Sequence, residues 1–271
     1  MSLSKGATAH LSYTVEELKQ FECPICMQLP RSGPVYQCTN GHIICSSCRT
    51  SVKKCPQCRV RLGDTRSLVL EPILDKLSFP CQYEEEGCSL VMLRKYLVSH
   101  EKKCPFRMIN CVDFSCKRKI PMSKLVDHVR NSHSHIPTLR GLAVMMGMMM
   151  SGRLRVSSKD QSQCEDKDFY PYQLKVKGTY FYLNCKRVEE MWFMWVSILD
   201  IEGANATDFK YTLLIHNEDE SSILQYQNYP AEIDMKFSKI QRLGKYLAFT
   251  EYTAKDFLVD NCICWKVSID Q

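Results

Sequence analysis

Apolar and polar residues alternate along several short stretches of the second half of the chain: YQLKVK at residues 172–177, EIDMKF at 232–237 and ICWKVSI at 263–269. A period of two puts one set of side chains on a buried face and the other in water, as in a half-buried β-strand. MWFMWVSIL at 191–199 and YTLLI at 211–215 are apolar throughout, which suits central strands packed on both faces. KG at Lys177, EGAN at Glu202 and NEDE at Asn217 punctuate these runs as turns. Residues 136–271 are therefore expected to form an all-β domain. Trp192, Trp195 and Trp265 fall on its strands and are expected in the core. Cys164, Cys185, Cys262 and Cys264 lack paired spacing and read as small buried residues, and His216 reads as a turn-edge histidine. The methionines at 145–150 read as core packing, with an adaptable contact surface as the alternative.

The first half has no such periodicity and is punctuated instead by cysteine and histidine. Twelve of the sixteen cysteines lie between Cys23 and Cys116, and five of the seven histidines between His42 and His135. The first cluster reads C23-x2-C26, C38-x3-H42, C45-x2-C48 and C55-x2-C58. Eight potential ligands in four pairs suit two tetrahedral zinc ions, because a tight Cys-x2-Cys turn can aim both sulfurs at one metal. The order of ligands is that of a RING finger. That resemblance implies crossed pairing, with Cys23, Cys26, Cys45 and Cys48 on one ion and Cys38, His42, Cys55 and Cys58 on the other. Two uncrossed zinc ribbons are the alternative.

A second set follows as an internal repeat: Cys81, Cys88, His100 and Cys104, then Cys111, Cys116, His128 and His133. Shifting by 28 residues lays Cys88 on Cys116 and His100 on His128. Both eleven-residue spacers, SLVMLRKYLVS and KRKIPMSKLVD, fit a short strand followed by a helix that carries the histidine. Four tetrahedral sites need sixteen ligands, and the twelve cysteines with His42, His100, His128 and His133 supply them. His135 is spare and could stand in for His133.

Charge at first suggests a polyanionic partner. Residues 1–135 carry 20 Lys+Arg against 12 Asp+Glu, or +8, and residues 136–271 carry 16 against 18, or −2. Twelve thiolates and four zinc ions would change the first figure by −12 and +8, to +4, which weakens the argument for nucleic acid. The amino terminus, MSLSKGATAHLSYTVEEL, shows no apolar stretch behind a basic start, and LAVMMGMMM at 142–150 falls far short of the roughly 20 residues a spanning helix needs. The expected setting is the reducing cytoplasm, with the nucleus as a second location and no membrane insertion.

The whole order is more specific than a RING alone. A RING, then FPCQYEEEGC, the spacer to His100 and a second finger closing on HVRNSH resemble the seven in absentia family of ubiquitin ligases through residues 21–135. The resemblance implies a flexible segment at 1–20, a RING at 21–62, tandem zinc fingers at 76–135 and, at 136–271, a TRAF-like antiparallel β-sandwich that binds substrate and dimerises. It places Ile25, Val52 and Pro56 at the groove for a ubiquitin-conjugating enzyme. Arg59 falls where a cation holds the carried ubiquitin for attack, a role suited to the five-donor fork of guanidinium. With every thiol of the first half assigned to a closed site, no covalent ubiquitin intermediate on this chain is expected. Pro171 departs from the family near the first strand, where the peptide-binding edge should begin, so the substrate groove has no assigned residues. Two other readings stand: a scaffold whose RING recruits no conjugating enzyme, and a nucleic-acid-binding finger protein, favoured by KRK at Lys117 and disfavoured by the lowered charge.

Overall fold

The computed structural model describes residues 18–140, 149–155, 167–200 and 205–271. Expectations on Cys164, on Glu202 to residue 204, on methionines 145–148 and on residues 1–17 lie outside these. The chain divides into two compact units, one ending at Arg107 and the other starting at Met108. The division falls between the two zinc-finger repeats.

The first unit is built from very short elements. A hairpin of β1 (Val35–Gln37) and β2 (Ile43–Cys45) runs into the single helical turn α1 (Ser46–Arg49). A linking helix α2 (Leu70–Leu74) leads to the hairpin β3 (Ser78–Pro80) and β4 (Val91–Leu93) and to helix α3 (Arg94–Lys103). Val35, Leu70, Leu74, Leu77, Phe79 and Leu97 form one buried cluster, so the RING-like segment and the first finger share a core that neither could build alone. Polar ties reinforce it. The Arg94 guanidinium, nearly buried, donates to the carbonyls of Pro30 (2.8 Å) and Gly33 (2.6 Å) and pairs with Asp75 at 2.7 Å. Arg31 reaches from the RING-like segment to Glu101 on α3 and to the Pro80 carbonyl.

The second unit begins with the other finger: hairpin β5 (Met108–Asn110) and β6 (Lys119–Pro121), then helix α4 (Leu125–Ser132). Both spacers thus carry the expected strand and helix.

The remainder is all β, in two sheets that are mainly antiparallel and not closed into a barrel. One contains β7 (Thr138–Arg140), β9 (Lys167–Val176), β10 (Thr179–Val188) and β11 (Met191–Leu199), with β14 (Ala231–Glu232) and β15 (Leu247–Thr250) both against β11. The other contains β12 (Lys210–His216), β13 (Ile223–Asn228), β16 (Leu258–Val259) and β17 (Cys262–Asp270), with β8 (Met149–Arg155) against β17. The β7–β9 and β11–β14 pairs are parallel. Leu174, Val176, Phe181, Trp192, Met194, Val196 and Ile198 of the first sheet face Leu213, Ile215, Ile263, Trp265, Val267 and Ile269 of the second across one core. The alternation at 172–177 and 263–269 is that inward and outward alternation. Lys177 and Gly178, both at positive φ (46° and 89°), close the β9–β10 hairpin as the KG signal indicates.

The apolar run at 191–199 has the expected cause, since β11 and its neighbour β10 are covered on their outer face too, whereas 211–215 on β12 alternates between buried and half-buried residues. Tyr182 and Leu199 point away from the sandwich core into a cluster with Ile109, Met122, Leu125, Val126, Val129 and Ile136 of the finger. Tyr182 donates from its hydroxyl to Gln173 Oε1 at 3.1 Å, which explains a buried glutamine on the outer face of β9.

Three expectations are corrected. EIDMKF is not a strand: only Glu232 pairs, the chain turns at Ile233 and Asp234, and Phe237 starts helix α5 (Phe237–Arg242). Its alternation arises because the segment lies over the sheet, where Phe237 meets Phe193 and Trp195 at ring separations of 5.3 and 5.4 Å. Trp195 is accordingly half-buried on the outer face, while Trp192 and Trp265 are core. Pro171, expected where a peptide-binding edge begins, lies instead inside β9, which pairs with β10 and β7; there Tyr170 and Pro171 together oppose the single Asn184, so the missing donor falls in a bulge. Cys185, Cys262, Cys264 and Met150 are buried, and His216 ends β12 with Nδ1 2.8 Å from the Asn217 carbonyl oxygen. Among the described residues no helix is long and apolar enough to cross a membrane.

Candidate metal centres

The first cysteine pair stands on a turn that the chain builds twice. Cys23 N–H donates to the Gln28 carbonyl at 2.8 Å, and Met27 N–H donates back to the Cys23 carbonyl at 2.8 Å. Cys55 and Arg59 repeat it, donating to Val60 and Cys55 at 2.8 Å each. In both turns the residue after the second cysteine adopts the left-handed conformation, φ 55° at Met27 and 59° at Arg59. This geometry folds two sulfurs toward one point. The hairpin and α1 supply the other pairs: Cys38 and His42 flank the β1–β2 loop, Cys45 ends β2, and Cys48 lies in α1.

Four groups of potential ligands result, each with its donor atoms within 4.8 Å of one another: Cys23, Cys26, Cys45 and Cys48; Cys38, His42, Cys55 and Cys58; Cys81, Cys88, His100 and Cys104; Cys111, Cys116, His128 and His133. The first two are crossed along the sequence. The last two repeat one plan, with a cysteine on each side of a hairpin loop, a histidine in the helix and a ligand just past its end.

Spacing tests whether a zinc ion fits. Metal–sulfur bonds near 2.3 Å give a tetrahedron with sulfur–sulfur edges of about 3.8 Å. Observed edges are 3.9 Å for Cys26–Cys45, 3.7 Å for Cys38–Cys58 and 3.8 Å for Cys81–Cys104. His42 Nδ1 lies 3.5 Å from Cys38 and 3.3 Å from Cys58; His100, His128 and His133 offer Nε2 at 3.5, 3.6 and 3.4 Å from Cys88, Cys116 and Cys111. The edges fit structural zinc sites, and so do the donor sets: all cysteine in the first group, three cysteines and a histidine in the second and third, and two of each in the fourth. Burial and neighbouring thiols push Cys48 and Cys104 up to about 12 and Cys111 up to about 11. Such crowded thiols ionise readily only when a cation shares the site.

No motif singles out Asp113, yet it is fully buried beside the fourth group. Its Oδ2 lies 2.8 Å from His133 Nδ1 and 2.9 Å from His135 Nε2. The spare histidine therefore faces a carboxylate, and His133 directs its other nitrogen to the cysteines. The only trace in the sequence is the Asp-x-Ser between Cys111 and Cys116, which forms an Asx turn. Burial and the nearby His133 hold His128 below the ordinary imidazole range, favouring the neutral form a ligand needs.

Around the crossed pair, Ile25 is 37% exposed at the tip of the first turn and Pro56 is exposed at the tip of the second. Val52 is half-buried against the cysteine cluster, and the Arg59 side chain is exposed.

With this geometry in place, two family profiles match: "E3 ubiquitin-protein ligase sina/sinah, RING finger" over residues 23–58, and "Sina, zinc finger" over residues 72–146. The chain carries Sina-type RING and zinc-finger modules. E3 ubiquitin-protein ligase sina of Drosophila melanogaster is 35% identical over 140 residues, 50% of this chain and 43% of that protein. E3 ubiquitin-protein ligase siah-1 of Caenorhabditis briggsae is 36% identical over 132 residues, covering 47% and 30%. Putative E3 ubiquitin-protein ligase SINAT1 of Arabidopsis thaliana is 39% identical over 127 residues, covering 46% and 41%. The chain thus spans less than half the length of these curated relatives. The Sina-type modules account for all four ligand groups, and the β domain lies largely outside the matched segments.

Proposed function

We propose that the chain is a RING-type ubiquitin ligase holding four zinc ions. The observation that carries this is the pair of matched turns, which present Ile25 and Pro56 outward with Val52 behind them and Arg59 next to the last cysteine. Zinc, when bound, cross-links loops that have little apolar core of their own. Every cysteine of the first half belongs to a four-ligand group, so none is free to accept ubiquitin covalently. Transfer would instead pass directly from a charged conjugating enzyme, with Arg59 fixing a near-attack arrangement. The β domain would hold a substrate or adaptor carrying a short extended degron, added at a sheet edge. β8 and β13 each pair on one side among the described residues, which supports that reading. Tethering both partners raises the local concentration of substrate lysines, and a homodimer would double the RINGs. The outcome would be proteasomal degradation of the substrate, in the cytoplasm and the nucleus, with no role for nucleic acid or a membrane.

The test is ubiquitin discharge from a charged conjugating enzyme onto free lysine. Ile25→Ala is expected to keep all four ions and lose stimulation at least tenfold; undiminished discharge would remove Ile25 from the contact surface.

A further inference from the structure

Asp113 is a carboxylate with no exposure to solvent, and its two oxygens are unequally partnered. Oδ1 accepts from the Ser115 N–H at 2.8 Å and from the Ser115 hydroxyl at 2.6 Å. Among the described residues Oδ2 is closely paired with two imidazole nitrogens, His133 Nδ1 and His135 Nε2. Oδ2 makes no well-aligned hydrogen bond, so it is a buried anionic oxygen whose close partners are the two rings, and it is stabilised when each ring turns a proton toward it. That favours the His133 tautomer with its proton on Nδ1, which leaves the Nε2 lone pair on the side of Cys111 and His128.

His135 continues the chain of contacts. Its ring meets Tyr170 of β9 edge-on at 4.4 Å, and Phe114, next to Asp113, stacks on the same tyrosine at 4.7 Å. Asp113, His133 and His135 could be read as a metal site of their own. His133 would then have to bind two metals as an imidazolate, whereas close N···O pairing at 2.8 and 2.9 Å needs no such ionisation. Pairing of the carboxylate with the two rings is the simpler chemistry.

We propose that Asp113 is a positioning residue: it assigns His133, and not His135, to the metal of the second finger, and it couples that site through His135 to Tyr170 on the sandwich. The proposal rests on the zinc reading above. An aspartate in this place does what outer carboxylates do for ligating histidines, fixing ring orientation and raising basicity. Here the same carboxylate also occupies the competing histidine.

The full-length chain, zinc-loaded, tests this by titration with a chromophoric chelator. Asp113→Asn is nearly isosteric, but its amide must turn NH2 toward either the Ser115 donors or the imidazole N–H groups. It is expected to weaken one of four ions by about 10- to 100-fold and leave three unchanged. Saturated with cobalt, it should keep the wild-type tetrahedral spectrum, which a collapsed finger would not. Ser115→Ala, a milder variant, should weaken the same ion by a smaller factor. His133→Ala should lose that ion, because His135 is held away. Amide exchange at Phe169, Tyr170 and Tyr172 should quicken in Asp113→Asn, which a purely local effect on the finger would not produce. A fourth ion held at wild-type affinity in Asp113→Asn or in His133→Ala, with the wild type binding four, overturns the proposal alone. A wild type binding fewer than four ions overturns the zinc reading and the proposal with it.

Discussion

Arg59 occupies a left-handed backbone position because the knuckle turn requires it, and Met27 does so at the equivalent place in the other turn. An L-residue there costs roughly 1 kcal/mol that glycine would avoid. Backbone and side-chain roles can therefore be separated. Arg59→Gly is expected to fold at least as well as wild type and to slow ubiquitin discharge by at least tenfold, while Met27→Gly relieves the same backbone and keeps a guanidinium at 59. Equal discharge rates for the two variants would make Arg59 a turn residue only. Arg94 is a residue whose importance only the fold reveals. Removing it orphans the Pro30 and Gly33 carbonyls, each at a cost of about 1–3 kcal/mol. Arg94→Met should thus speed amide exchange in α3 by roughly 10- to 100-fold; unchanged exchange would show that the apolar cluster alone joins the first finger to the RING-like segment. Neither Arg94 nor Asp113 was legible in the sequence, because their partners lie far along the chain or on groups that spacing alone does not rank. The four groups that the structure brings together were legible, because a Cys-x2-Cys pair is itself the geometry of a tight turn and the two fingers repeat at a fixed shift.

At the scale of elements, period was informative where one face is buried and misleading where a segment lies across a sheet. Leu174 and Val176 alternate with Gln173 and Lys175 because β9 has an inward and an outward face. Ile233, Met235 and Phe237 alternate equally well, yet they belong to a turn and the start of a helix packed over β11. Both patterns satisfy the same demand, an apolar side against the protein, so periodicity could not separate them. Trp195 was misplaced for a related reason: a tryptophan on a strand covered on both faces need not point inward. Close packing also identifies a glycine whose place no motif marks. A Cβ on Gly152 of β8 would come 2.5 Å from the ring of Trp265 on β17. Gly152→Ala is therefore expected to destabilise the β domain by about 1–3 kcal/mol through overpacking, seen as a lower midpoint in urea at constant slope. An unchanged midpoint would mean that β8 shifts freely against Trp265.

At the scale of the molecule, the fingers that sequence groups as a tandem pair are shared between units, one fused to the RING-like segment by a common core and the other by a second core to the sandwich. Spacing could reveal the repeat but not this partition, which depends on apolar side chains such as Leu97 and Tyr182 whose partners are distant in sequence. One measurement tests the central claim most directly: self-ubiquitination by the purified zinc-loaded chain with a panel of conjugating enzymes, beside a chelated sample. The account expects ubiquitin ladders with at least one enzyme and their disappearance on chelation. A chain that binds four zinc ions and yields no ladder with any enzyme would contradict it and leave the crossed cysteine sites as a structural clamp.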